Sequence, residues 1–130
     1  AIKIQDGEKI AIFSTGAIFD EVDEACKALS EEGIVPTVYT FPTVKPIDKD
    51  VILECASKYG TIITVEEHNL SGGFGSAVAE VLSEECPVPV LRVGIKDVFG
   101  ESGKPSQLLE KYGLTPKDIV EKAKKAISLK

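Results

Sequence analysis

"IAIFSTGAIFDEVDEACKALSEEGIVPTVYT", residues 10–40, changes its apolar period twice, and those two changes decide the fold. Ile10 to Ser14 is a short apolar run of β-forming side chains, closed by Thr15 and Gly16 as a turn, and predicts a buried strand. Over 18–32 the apolar positions Ile18, Val22, Ala25, Cys26 and Leu29 form one face of a helix, with Gly33 placed to end it. "IVPTVYT", 34–40, then returns to a strand.

The alternation continues outward. Asp48 is a candidate cap for a helix with inner face Val51, Ile52, Cys55, Ala56 and Tyr59, stopped at Gly60. "TIITV" at 61–65 predicts a third strand, Phe74, Ala77, Val78, Val81 and Leu82 a third helical stripe, and "VPVLRVG" at 88–94 a fourth strand. Pro105 suits the first turn of a short helix carrying Leu108, Leu109 and Tyr112, and Thr115 with Pro116 and Asp118 predicts a capped helix over 116–128. At the other end "AIKI", 1–4, adds an edge strand, antiparallel and joined by a turn at "DGE". Strand, helix, strand in repetition specifies an α/β fold: a three-layer, doubly wound and mostly parallel sheet of about five strands, because parallel neighbours need right-handed crossovers.

Composition narrows the function classes. A chain of 130 residues is the size of one domain, 1–130, with one real core. The net charge is −6 and Arg92 is the only arginine, which argues against nucleic acid. The lysines near the end, Lys117, Lys122, Lys124 and Lys125, are interleaved with Asp118 and Glu121 and read as a solvated helix face. No stretch approaches the ~20 apolar residues that a membrane span needs. Cys26, Cys55 and Cys86 are too few and too far apart for a disulfide framework or a metal knuckle, so reduced, buried thiols in a cytoplasmic protein are expected. The chain holds no methionine and starts at Ala1, so a processed chain or a piece of a longer one is also expected.

"VEEHNLSGGFGS", 65–76, is the stretch with chemical potential. It follows a strand and leads into a helix, where open parallel sheets place their ligands. Gly72, Gly73 and Gly75 allow a tight turn and a close approach, and a helix start near Ser71 to Ser76 would offer amides to an anion. The spacing from Gly73 lacks the third glycine of the dinucleotide fingerprint, and no lysine followed by Ser or Thr makes a nucleotide loop. A structural turn with close helix packing is therefore the first reading, a protein interface or anion contact the second, a nucleotide site the third. Strand alternation sends Glu66 and Glu67 to opposite faces, one buried or paired and one solvated, which is no close acid/base pair. His68 lacks a placed nucleophile and an orienting partner and reads as a hydrogen-bonded loop residue. No catalytic, cofactor or metal residue is assigned; Glu66, Glu67, His68, Ser71, Gly72, Gly73, Gly75 and Ser76 are candidates for an interface or an anion contact.

Four pieces in order, "IAIFSTGAI" (10–18), "ALSEEGIVPTVYTFPTVKPID" (28–48), "IITVEEHNLSGGFGSAVAEVL" (62–82) and "LRVGIKDVFGESGKPSQLLEKYGLTPKDIV" (91–120), resemble the C-terminal domain of the transketolase family. The resemblance implies a domain that binds no cofactor itself, while thiamine diphosphate and magnesium sit between the other domains of the complete enzyme. It implies an enzyme moving a two-carbon ketol unit between sugar phosphates, with the isolated domain inert. The partners implied are the cofactor-binding domains or subunit of the same transketolase, in a homodimer. "DVFGESG", 97–103, is most like transketolases encoded as two subunits; deoxyxylulose phosphate synthases typically carry a histidine where Ser102 stands. The beta subunits of oxoacid dehydrogenases, where this domain binds an acyltransferase core, are a further relative.

Overall fold

The computed structural model describes residues 1–15, 19–42, 47–66, 73–94 and 116–128. Among them run β1 (Ile2–Gln5), β2 (Ala11–Ser14), α1 (Phe19–Glu31), β3 (Thr37–Thr40), α2 (Lys49–Tyr59), β4 (Ile62–Glu66), α3 (Phe74–Glu85), β5 (Val90–Gly94) and α4 (Pro116–Ser128). The expected helix after Pro105 and the "DVFGESG" tail lie outside the described residues. None of the described helices is long and apolar enough to cross a membrane.

The strands form one sheet in the order β1-β3-β2-β4-β5. β3, β2, β4 and β5 are parallel, and β1 pairs antiparallel with β3 through a bulge between Lys3 and Gln5. β2 and β4, in the middle, are buried along their whole length. That is why they read as mostly apolar runs, with only Ser14, Thr64 and Glu66 polar, rather than as alternating ones.

Alternation along those strands still sorts the core into two halves. Ile10, Ile12, Ile63, Val65 and Val93 pack with Val22, Leu29, Ile119, Ala123 and Ala126 under α1 and α4. Ala11, Phe13, Tyr39 and Ile62 pack with Ile52, Tyr59, Phe74, Val78 and Leu82 under α2 and α3. Two helices on each face of a parallel sheet is the doubly wound arrangement. Asp48 caps α2 by accepting from the Val51 amide at 3.3 Å, and Gly60, at φ 73°, ends it by donating to the Ala56 carbonyl.

The boundaries shift where proline intervenes. β3 begins at Thr37 rather than at Ile34, because the Ile34 amide is spent on the Leu29 carbonyl in the closing turn of α1 and Pro36 has no amide to give. β5 begins at Val90, since Pro89 offers only its carbonyl, which accepts from Ile62. β4 extends one residue further than expected, to Glu66, which stands opposite Gly94 of β5. Cys26 and Cys55 are buried free thiols, while Cys86, at the end of α3, is half-buried.

At the amino end of the sheet three residues close a ring. The Gly7 amide donates to Thr37 Oγ1 (2.9 Å), the Thr37 and Tyr59 hydroxyls are 2.6 Å apart, and the Tyr59 hydroxyl donates to the Gly7 carbonyl (3.3 Å). Donation from Thr37 to Tyr59 uses every proton once, and such closed chains polarise one another. The β1–β2 turn, the start of β3 and the end of α2 are thereby tied together.

Candidate functional site

Strand order reverses between β2 and β4: the chain moves one way from β2 to β3, then crosses to the other side for β4 and β5. The carboxyl ends of β2 and β4 flank that reversal, the place where open α/β sheets receive ligands. Glu66 ends β4 there. It lies on the α2/α3 face, since Ile62, two positions from Thr64 and four from Glu66, packs into that half of the core.

Glu66 is completely buried. Its Oε2 accepts from the Phe74 amide at 2.6 Å and its Oε1 from the Gly75 amide at 3.1 Å. These are first-turn amides of α3, which have no partner within the helix. The residue in the capping position, Gly73, has no side chain to serve them, and the first turn of α3 holds no acidic residue. The strand therefore supplies the cap and the negative charge that the helix start favours.

The helix start is also pressed against the sheet. A Cβ on Gly75 would stand 2.9 Å from Thr64 Oγ1 and 3.2 Å from Arg92 Cδ. Thr64 and Arg92 are register partners on β4 and β5, so Gly75 rests across that pair. Arg92 Nη1 donates to Ser76 Oγ at 3.2 Å. Phe74 packs its ring 4.9 Å from Phe41, whose ring is 4.9 Å from Phe13. Thr64 Oγ1 is buried with no hydrogen-bond partner, and so is Ser14 Oγ, which shares Val65's side of the sheet.

Of the residues singled out from the sequence, Glu66, Gly73, Gly75 and Ser76 meet at this β4–α3 junction. Glu67, His68, Ser71 and Gly72 lie outside the described residues. The sequence singles out Arg92 only as its one arginine and Thr64 not at all; no local signal in the sequence joins either to the glycine at the cap position. Among the described residues no cluster of His, Cys, Asp and Glu could hold a metal ion. Both Glu66 oxygens are engaged, so the arrangement anchors a helix and offers those two amides to no external anion.

Residues 1–119 match the family described as transketolase, C-terminal domain. The chain belongs to that family. Within it, the chain is 43% identical over 120 residues to the 6-deoxy-6-sulfo-D-fructose transketolase subunit SqwH of Clostridium sp. (strain MSTE9), covering 92% of this chain and 37% of that protein. It is 39% identical over 117 residues to the 1-deoxy-D-xylulose-5-phosphate synthase of Caldanaerobacter subterraneus subsp. tengcongensis, covering 89% of this chain and 19% of that one. A solved structure described as "Split gene transketolase, inactive beta4 tetramer" superposes with a TM-score of 0.92 at 48% identity, over 98% of this chain and 42% of that chain. The transketolase C-terminal domain seen here thus spans well under half the length of these relatives.

Proposed function

We propose that the chain is the C-terminal domain of a longer transketolase, which as a complete protein moves a two-carbon ketol unit between sugar phosphates. The observation that carries this reading is the asymmetry of the likeness: nine tenths of this chain aligns with a transketolase subunit at 43% identity, yet with only 37% of that subunit. The remainder of such a protein holds the chemistry. Thiamine diphosphate with magnesium supplies the carbon–carbon bond chemistry when bound there, and the protein supplies orientation.

The β4–α3 junction does not fit that cofactor. A diphosphate at the start of α3 would meet the buried Glu66 carboxylate already seated on the Phe74 and Gly75 amides. We assign the domain a role in assembly, through contacts with the cofactor-binding parts in a cytoplasmic homodimer. The loop that includes Glu67, His68, Ser71 and Gly72 belongs to those contacts in this reading. A chain lacking its partner is then inert, as the described state of the split-gene protein, an inactive tetramer, is for that protein.

The test is a ketol-transfer assay with thiamine diphosphate and magnesium, run on the 130-residue chain and on the complete protein with any partner subunit. Transfer by the complete assembly alone is expected; turnover by the short chain would overturn the assignment and return Glu66, Glu67 and His68 to consideration as catalytic groups. The 39% identity with a 1-deoxy-D-xylulose-5-phosphate synthase supports a second reading, and formation of that product by the same assembly would move the protein there.

A further inference from the structure

We propose that Glu66 is a positioning residue for assembly: its buried carboxylate ties the start of α3 to the end of β4 and so sets the geometry in which the β4–α3 connection meets the cofactor-binding parts. This rests on the assignment of that connection to the assembly contacts, and adds the residue through which those contacts are held in place.

Capping alone calls for less than the junction contains. Gly73, in the capping position, has φ −100° and ψ −163°, extended backbone that residues other than glycine adopt readily. An Asp or Ser there would serve the first-turn amides from within the helix start itself. Instead the Phe74 and Gly75 amides are served from eight and nine positions upstream, by a side chain with no exposure to solvent. A local cap steadies a helix; a cap sent from the neighbouring strand also fixes where that helix starts relative to the sheet. It brings together the two ends of the stretch between Glu66 and Gly73, both of which are described although residues 67–72 are not.

The other contacts at the junction seat α3 on the sheet without making that tie. Gly75 rests across Thr64 and Arg92, Arg92 donates to Ser76, and the Phe74 ring lies against Phe41. None of them reaches back to the residue at which β4 ends. A connection whose ends are held at one point has less freedom to give up when a partner surface covers it, and association is strengthened by what is ordered beforehand. Glu66 acts here through the backbone it holds, since both of its oxygens are engaged inside the domain.

The test separates the tie from the cap. In the complete protein, Glu66→Gln is compared with Glu66→Gln plus Gly73→Asp, which returns a carboxylate cap to α3 from its own start but leaves the strand untied. Tyr59→Phe, at the opposite end of the sheet, is the control for lost stability alone. Subunit association is read by sedimentation over a dilution series, at temperatures equally far below each melting point. The double variant is expected to regain stability over Glu66→Gln yet to dissociate at a protein concentration higher than the parent's by about ten-fold or more, while Tyr59→Phe associates as the parent does. Parent-like association of the double variant overturns the proposal, and so does an equal weakening in Tyr59→Phe or a parent that never associates. Where neither Gln variant folds, Glu66→Asp, which withdraws the oxygens by one methylene and keeps the charge, is read against the same outcomes. Ketol transfer by the same preparations is decided separately: weakened association in an assembly that never transfers ketol keeps the role of Glu66 and removes the enzyme assignment, and transfer with unchanged association removes the role alone.

Discussion

Glu66 and Phe74 are joined by a 2.6 Å hydrogen bond from the Phe74 amide to the Glu66 carboxylate, so the last residue of a strand caps the helix that follows it. The second oxygen takes the next amide, that of Gly75. Glu66→Gln keeps one acceptor but turns an N–H group toward the other amide and removes the charge. A loss of about 1–3 kcal/mol in urea unfolding is expected, the cost of a buried donor left unmet. A variant as stable as the parent would show that the carboxylate does not hold the helix.

The Gly75 contact makes a prediction about a pair rather than a single residue. Gly75→Ala places a methyl 2.9 Å from Thr64 Oγ1, an atom with no hydrogen-bond partner to lose. Gly75→Ala alone should destabilise, and Thr64→Ala should relieve part of it, with a coupling of about 0.5–3 kcal/mol in a double-mutant cycle. Additive effects would place the strain on Arg92 instead.

At the opposite end of the sheet the obstacle is backbone. A Cβ on Gly7 would run into the Val35 carbonyl oxygen and the Pro36 carbonyl carbon, neither of which is a side chain that rotates away. Gly7→Ala should cost more than Gly75→Ala, about 3 kcal/mol or more. Tyr59→Phe leaves the space filled and removes only the hydroxyl of the Gly7–Thr37–Tyr59 ring. About 1–2 kcal/mol is expected there, and thermal melts of the two variants give the ranking directly.

Burial pushes the Cys26 and Cys55 thiols up to about 11, with the neighbouring Asp23 and Glu54 carboxylates adding to it. Both values lie above the ordinary thiol value, so the folded state binds these protons more tightly than the unfolded chain does. The associated stability is complete below about pH 8.5 and is lost as pH rises toward 11. Unfolding midpoints measured from pH 7 to 10.5 should fall over the alkaline part, and Cys26→Ala with Cys55→Ala should flatten that fall. At neutral pH a thiol reagent should reach Cys86 first.

Periodicity made the sheet readable. A four-residue strand such as Ala11–Ser14, buried on both sides, is held to apolar residues at all but its last position, Ser14, and the 13 residues of α1 must keep one stripe for the core. Such constraints act on near neighbours in sequence. The cap of α3 does not, because Glu66 reaches across eight positions to Phe74, and nothing in a window around Gly73 announces it. The contact of Gly75 with Arg92 depends on how β5 lies beside β4, which is a property of the folded sheet. The stretch "IITVEEHNLSGGFGSAVAEVL" spans the β4–α3 junction, but the contacts within it depend on the folded sheet.

α4 has a further consequence for the order of events during synthesis. Among the described residues, the half of the core under α2 and α3 is made from residues before Gly94, whereas the other half lacks Ile119, Ala123 and Ala126 until α4 arrives. A nascent chain leaving the ribosome therefore emerges with one side assembled before α4 and with the other covered by α1 alone. Ile63, Val65 and Val93 gain the cover of Ile119, Ala123 and Ala126 only when α4 clears the exit tunnel. The closing step of folding is then a single helix docking onto a prepared sheet, and the chain is most exposed to chaperones and to misassembly in the interval just before it.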